Sequence, residues 1–476
     1  MRPWRISREE ETTVSMNTKS LVESDIRTMI HPYANLALHR ERGPLILERG
    51  KGIYVWDRDG RQYIEGLAGL WCTALGFGEE ALVEAASEQL RKLSYYHLFG
   101  NKSQGPAIEL GERLKSLAPM PVSKVFFVNS GSEANDTQIK LIWYYHNAIG
   151  RPKKKKIISR LRAYHGVTIA AGSLTGLPMV QRDFDLPIAG ILHADCPHHY
   201  RYAEPGETEE AFATHLAENL EQLILKEGPE TIGAFIAEPI MGAGGVIVPP
   251  RTYFEKVQTV LKKYDIFFID DEVICGFGRT GNMFGCETFG FTPDTMSVAK
   301  SISSAYLPIG AVLIPEKIYE AMLDESRKIG TFGHGFTYSG HPVCAAVALR
   351  NLELMEERRI IDHVRRIMPR FQKRLKDLED HPLVGEARGT GLIGGCELVS
   401  HKAEKRPFEP AQGVGAYCAS RAQDHGLILR ALGDTCAFCP PLIITEAEID
   451  ELFDRFEKAL ADTEVWVEKN GFRKGP

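Results

Sequence analysis

At 476 residues, 43% apolar and 25% charged with a formal net charge of −6, the chain has the make-up of an ordinary globular enzyme. That balance excludes nucleic-acid or membrane binding through bulk positive charge, and no apolar run is long enough to span a bilayer. The length calls for two domains around a shared cleft, and the odd number of scattered cysteines calls for reduced thiols in a cytoplasmic compartment.

In chain order, the polar, mixed-charge segment up to Met29 does not read as a secretory signal. It is expected to form a mobile, partly helical arm that reaches a partner subunit. Residues 50–57 and Gln62 to Glu65 alternate around Asp59-Gly60, the pattern of a hairpin. Gly69-Leu70-Trp71-Cys72 follows, and Trp71 reads equally as a core residue or a pocket wall. Helices are expected at Glu80 to Lys92 and Gly105 to Leu117, then a strand over Lys124 to Val128. That strand leads into Asn129-Ser130-Gly131-Ser132-Glu133-Ala134-Asn135 and a helix. Strand, small-residue turn and helix turn free N–H groups toward an anion, although a capped helix with no ligand has the same pattern.

The lysines 153–156 read as a solvated loop before a strand at Ile157 to Arg160, after which Tyr164-His165-Gly166 places an aromatic ring in a loop. A variable, proline-rich loop (185–207), a helix (Glu209 to Lys226) and a strand (Ile232 to Ala237) ending in Glu238-Pro239 come next. The densest chemistry lies between Tyr264 and Gly310. One apolar run (Ile266 to Ile269) ends in Asp270-Asp271-Glu272, and another (Thr295 to Ala299) ends in Lys300 among small residues. Charges at the C-terminal ends of buried strands sit where open α/β sheets keep their chemistry. A desolvated lysine there is an amine nucleophile able to form a Schiff base, and a nearby acid suits a cationic ring nitrogen. Strand alternation prevents Asp270 and Asp271 from facing the same way. Gly276, Gly278 and Gly281 fit a dinucleotide fingerprint in letters only, because no helical pattern opens after them.

After Lys300 the pattern gives an antiparallel edge strand at Ala311 to Ile314 and a helix to Arg327. Gly333-His334-Gly335-Phe336-Thr337-Tyr338-Ser339-Gly340-His341-Pro342 then precedes a small-residue helix. The rest reads as a smaller α+β domain with a long amphipathic helix (359–379), strands at 384–388, 392–398 and 427–431, and helices at 414–423 and from Glu446. Arg430 ends one apolar run; its fork suits a carboxylate, and a surface ion pair is the plainer alternative. Cys196-Pro197-His198-His199 and Cys436-x-x-Cys439 lack the spacing of a zinc ribbon and read as packed or exposed thiols, so no metal is assigned.

Taken together, SGSEA, YHG, EP, DEV with GFGRTG, AK with PIG, FTYSGHP and the late arginine resemble, in order and spacing, the class III (omega-) aminotransferases. The resemblance runs from about Tyr33 to the last helix. It implies fold type I of the pyridoxal 5'-phosphate (PLP) enzymes: α/β, a large domain with a mostly parallel sheet between helices, and a smaller α+β domain from both chain ends. The expected partition is 1–77 (arm and part of the small domain), 78–330 (large domain) and 331–476 (remainder of the small domain). The resemblance assigns Lys300 to the Schiff base and Asp271 to the ring nitrogen. Gly131 and Ser132 go to the phosphate, Tyr164 to ring stacking, and Glu238 and Val273 to the cofactor's surroundings. Trp71 and Arg430 go to the substrate side, with Arg430 on the keto-acid carboxylate, and the aromatic residues Trp71, Phe99 and Tyr164 with the loop Tyr95-Tyr96-His97 suggest an apolar substrate pocket suited to amines without an α-carboxylate. Thr337 is expected to cross to the partner's cofactor phosphate, which requires a homodimer or a dimer of dimers. The reaction expected is ping-pong transfer of an amino group from an amine or omega-amino acid to a keto acid, pyruvate foremost. An aminomutase or racemase of the same fold is the alternative, and a nicotinamide-linked oxidoreductase is the alternative from another class.

Overall fold

The computed structural model describes residues 17–473. Its first sheet is built from β1 (Leu47–Lys51), β2 (Tyr54–Asp57) and β3 (Gln62–Glu65), consecutive antiparallel strands that include the expected hairpin. The arm expected before Met29 is helical over Thr18–Thr28, capped by the Asn17 side chain on the Ser20 amide, and its first 16 residues lie outside the described range.

A seven-stranded sheet forms the centre. Its strands are β4 (Lys124–Val128), β5 (Lys156–Arg160), β6 (Ile191–Ala194), β7 (Ile232–Ala237), β8 (Phe267–Asp271), β9 (Thr295–Val298) and β10 (Gly310–Ile314). They lie in the order β4-β10-β9-β8-β7-β5-β6, and β10 alone runs against its neighbours. Ala311 to Ile314 is therefore antiparallel as expected but not at an edge, because β4 pairs along its outer side. Strand β6 falls inside the stretch read as a loop; four residues beside prolines carry too little pattern to announce a strand.

Strands β7 to β10 are buried at every position, which is why they read as continuous apolar runs. Successive side chains go to opposite layers. Ile236 and Ile269 join one core with Ile139, Ile142 and Ile318, while Phe235 and Phe268 join the other with Phe254 and Phe291. Phe254 stacks on Phe291 with ring centroids 4.2 Å apart, wedging the Tyr253–Lys263 helix onto the sheet.

A third sheet contains β11 (Val384–Thr390), β12 (Ile393–Leu398), β14 (Arg430–Leu432) and β15 (Thr435–Phe438) in the order β11-β12-β15-β14. The single strand expected over 427–431 is two: β13 (Leu427–Ile428) pairs in parallel with β3, and β14 pairs with β15. The chain passes from one sheet to the other at Leu429, a change of partner that a continuous apolar run does not reveal. The fully buried Arg279 donates to the carbonyls of Leu392 and Pro440, so the glycine-rich loop after β8 is bonded to the C-terminal segment. All nine cysteines are free; eight are buried and Cys72 is half-buried.

Candidate active site

The ends of β4, β8 and β9 and the loops after β5 and β7 meet at a cavity of about 370 Å³. Gly131, Ser132, Tyr164, Glu238, Asp271, Val273 and Lys300 all line it, joined by Cys72, Asn129, Asn135 and His165. Seven predicted site residues from five chain segments thus converge on one space.

Asp271 ends β8 and is 3% exposed. Its Oδ2 accepts from Asn135 Nδ2 and faces His165 Nδ1, each at 2.7 Å, while Oδ1 accepts from the Val273 amide at 3.1 Å. Three partners on one carboxylate fix its direction, which is what a lasting contact to a cationic nitrogen needs. Asn135 also donates to the His165 carbonyl, so the two supports brace each other. Both stand inside the recognised motifs without having been assigned a task. Their role depends on a contact across 106 to 136 residues that spacing does not report.

Lys300 follows β9 with φ of +51°, a left-handed conformation that costs a non-glycine residue about 1 kcal/mol or more. Its ammonium makes no hydrogen bond or ion pair among the described residues. Burial pushes its pKa below the ordinary lysine value, and the negative charge of Asp271 works in the opposite direction. An amine that loses its proton more readily is the nucleophile this position requires.

At the cavity's other end, the Gly131–Ala148 helix points its first turn inward. The Ser130 side chain caps it through the Glu133 amide, which leaves the amides of Gly131 and Ser132 for an anion. A Cβ on Gly131 would stand 3.0 Å from Val273, and one on Gly166 would stand 2.5 Å from Ser132 Oγ, so both glycines keep the cradle open. Anion cradle, free amine and braced carboxylate are the donor set PLP needs, and the residues fit it.

Glu238 is fully enclosed, and burial raises its pKa. Its oxygens accept from the Tyr164 amide at 3.0 Å and the Gly242 amide at 3.1 Å, which ties the tyrosine loop to the turn after β7. Burial is also the main reason the Tyr164 hydroxyl is pushed far above its ordinary pKa; it lies 3.4 Å from the Tyr33 hydroxyl.

Four of the predicted residues do not line the cavity of their own chain. Trp71 is 2% exposed and packs behind the wall with Leu67, Ile240, Ile274 and Cys275, and Cys72 takes the wall position. A φ of +65° at Trp71 turns its ring into that cluster, a local twist that composition does not show. Phe99 is 49% exposed, and Thr337 lies on the surface with its carbonyl accepting from the Tyr95 hydroxyl. Arg430 has its guanidinium 5.3 Å from the centre of the Tyr33 ring.

The question of Asp270 resolves by alternation. Asp271 faces the cavity, and Asp270 turns to a buried group with Glu272 and Cys286. Glu272 Oε1 accepts from the Cys286 amide, whereas its Oε2 and both Asp270 oxygens meet no fixed donor. Burial first, and then each other's charge, raise the pKa of Asp270 far above the carboxylate range; burial raises Glu272 to about 7. Both groups therefore hold their protons to higher pH than an exposed carboxylate does.

The family model of the class-III aminotransferases matches residues 37–460. Gamma aminobutyrate transaminase 3 of Solanum lycopersicum, chloroplastic, is 56% identical over 427 residues, spanning 90% of this chain and 82% of that protein. Vanillin aminotransferase of Capsicum chinense is 52% identical over 427 residues, 90% of this chain and 93% of that protein. The omega transaminase of Pseudomonas jessenii, solved in complex with PMP, superposes with a TM-score of 0.93 at 57% identity, covering 94% of this chain and 99% of that one.

Lys300→Ala is expected to cut turnover about 1,000-fold or more and to leave no PLP fixed to the chain by borohydride reduction. An active variant that still fixes PLP on reduction would remove Lys300 from the chemistry. For Asp270 and Glu272 the sign follows from their raised values. The unfolded chain loses both protons near pH 4 to 4.5, whereas in the folded chain Glu272 keeps its proton to about pH 7 and Asp270 also keeps its own well above the ordinary carboxylate range, so stability falls as pH rises above about 4. Asp270→Asn, an uncharged donor to Glu272, is expected to flatten the profile and raise the melting temperature at pH 8 by about 2 °C. Parallel pH profiles for the two proteins would show that Asp270 does not hold its proton above the ordinary carboxylate range.

Proposed function

The chain belongs to the class-III aminotransferases and is a PLP-dependent omega-aminotransferase, and from that premise we propose that its donor is a short omega-amino acid and its acceptor pyruvate. The observation that carries this reading is the state of Arg430. Among the described residues its guanidinium makes no ion pair or hydrogen bond; it lies over the Tyr33 ring beside Tyr164, and Tyr164 borders the cavity. A cation without a counter-ion next to a reaction cavity suits a substrate carboxylate. Pyruvate and an omega-amino acid each carry one. The gamma aminobutyrate transaminases among its relatives have names that agree with such a donor. The vanillin aminotransferase supports an aromatic amine as the second reading, in which the guanidinium stays on Tyr33 and leaves an apolar wall.

Bound PLP supplies an aldehyde that captures amines and a pyridinium ring that draws electrons from the carbon losing its proton. The protein's own groups do the rest. The Gly131 and Ser132 amides and the helix behind them would hold the phosphate. Asp271, braced by Asn135 and His165, would keep a proton on the ring nitrogen. Lys300 Nζ takes the proton from the donor's amine-bearing carbon and later returns one to the carbon of the keto acid. Glu238 holds Tyr164 and the Gly242 turn in place through backbone amides, so the ring-facing wall keeps its shape while the two substrates alternate.

The assembly proposed is at least a homodimer in which Thr337 completes the partner's phosphate site. Thr337 lies among exposed aromatic rings, with Tyr96, Phe99 and Tyr338 from 42% to 60% exposed, and such a patch favours a protein interface. The free cysteines support a reducing compartment, with the cytoplasm as the proposed location. Among the described residues no helix is long and apolar enough to cross a membrane.

Arg430→Ala is expected to raise KM for pyruvate and for an omega-amino acid donor by about 10- to 100-fold, as loss of a charged hydrogen bond does, with little change for an amine that lacks a carboxylate. Equal losses for all three substrates would refute the carboxylate role. Sedimentation velocity is expected to show two chains or a multiple of two, and Thr337→Ala to release PLP faster on dialysis. A monomer with full activity would end the proposed sharing of sites.

A further inference from the structure

Outside the cavity, one group of side chains has the make-up and geometry of a coordination sphere. Asp25 projects from the Thr18–Thr28 helix, His39 from the Leu36–Arg42 helix, and His31 from the turn between them. His31 Nε2 lies 3.0 Å from both Asp25 oxygens, and His39 Nε2 lies 3.0 Å from Asp25 Oδ1. The two imidazoles stack with centroids 4.1 Å apart and planes 28° from parallel. One ligand atom from each residue lies within 4.8 Å of the other two.

The proton-only account of this group fails at His39. Its Nε2 is shielded from water and sits beside a carboxylate oxygen, yet it makes no hydrogen bond to that oxygen. A ring N–H would have to point elsewhere, and a lone pair against a carboxylate is repulsive. Charging both stacked rings would set two cations face to face. A cation between the three groups would take the lone pair of each ring in place of a proton and would turn the two stacked planes toward each other. Ligands at about 2.1 Å in adjacent octahedral positions stand about 3.0 Å apart, and those of a tetrahedral ion stand slightly farther apart. The His–Asp separations of 3.0 Å fall at that spacing, and the two imidazole nitrogens lie within 4.8 Å of each other. The side chain of His31 is 30% exposed, against 16% for Asp25 and 11% for His39, so an ion has an entry path and room for water ligands.

We propose that Asp25, His31 and His39 form a binding site for a divalent first-row metal ion of the zinc class. Imidazole and carboxylate together suit such ions better than magnesium or calcium. The consequence for the enzyme lies two residues beyond His31. Tyr33, at φ +54°, reaches over to the Tyr164 hydroxyl and lies beneath the Arg430 guanidinium. An ion joining both helices and the turn would hold Tyr33 against these two residues and fix the N-terminal segment over that side of the cavity. The site is structural, outside the reacting atoms, and does not depend on which amine is the donor.

The test uses untagged, PLP-loaded protein stripped by a chelator and titrated with Co²⁺, whose visible d–d bands report ordered coordination. The wild type is expected to take up one Co²⁺ per chain at this site, displaced by Zn²⁺. His31→Ala and His39→Ala are expected to weaken that uptake at least 10-fold, while His215→Ala, on the Glu209–Glu227 helix beside Glu207 and outside the group, leaves it unchanged. Zn²⁺ is also expected to slow amide hydrogen exchange over residues 18–42 in the wild type alone. Asp25→Asn repeats the test with near-identical volume should a histidine variant fold poorly. Co²⁺ bands of equal strength in wild type and variants, absence of bands at millimolar Co²⁺, or exchange unaffected by Zn²⁺ would each overturn the proposal.

Discussion

The structure depends on one arrangement: a carboxylate held rigid at the end of a buried strand, opposite an amine held at the end of its neighbour. Asp271 ends β8 and Lys300 follows its parallel neighbour β9, so the sheet places the two side by side. Neither group would tolerate that depth alone. Asp271 is engaged by Asn135, His165 and the Val273 amide, and its charge partly offsets the desolvation of Lys300. The left-handed backbone at Lys300 is a further cost that the surrounding packing sustains.

That arrangement makes demands on both faces of β8. Because side chains alternate, fixing Asp271 toward the cavity drives Asp270 into the opposite layer, where it meets Glu272 and Cys286. Burial there raises the pKa of both acids, so they hold their protons to higher pH than exposed carboxylates do. The strand thus carries two neighbouring aspartates in different environments, one braced by donors and one short of them.

The remaining elements close the space around these charges. Glu238 ties the loop after β5 to the turn after β7, and Arg279 ties the loop after β8 to the C-terminal segment. From the N-terminal side comes Tyr33, and from the third sheet comes Arg430; they meet each other, not the cavity floor. The candidate site is therefore braced by hydrogen bonds at Asp271 and, on the side of Tyr33 and Arg430, assembled from separate parts of the chain.

Much of this was legible in the residues. The buried strands announced themselves as apolar runs because both their faces are covered, and a charged residue closing such a run marked the sheet's active edge at Asp271 and Lys300. The helix opening at Gly131 was visible in its small-residue turn. Short or shared elements were not: β6 is four residues long, β10 lies inside the sheet instead of at its edge, and β13 and β14 divide one apolar run between two sheets. Local pattern reports how a residue relates to its chain neighbours, so the sequence by itself determined the family, the longer buried strands and which acid and which lysine close them. Which aspartate faces inward, that Asn135 and His165 brace it, that Trp71 turns away while Cys72 forms the wall, and that Tyr33 meets Arg430 are contacts between distant segments. Only tertiary structure decided those, because their energies arise when the segments meet.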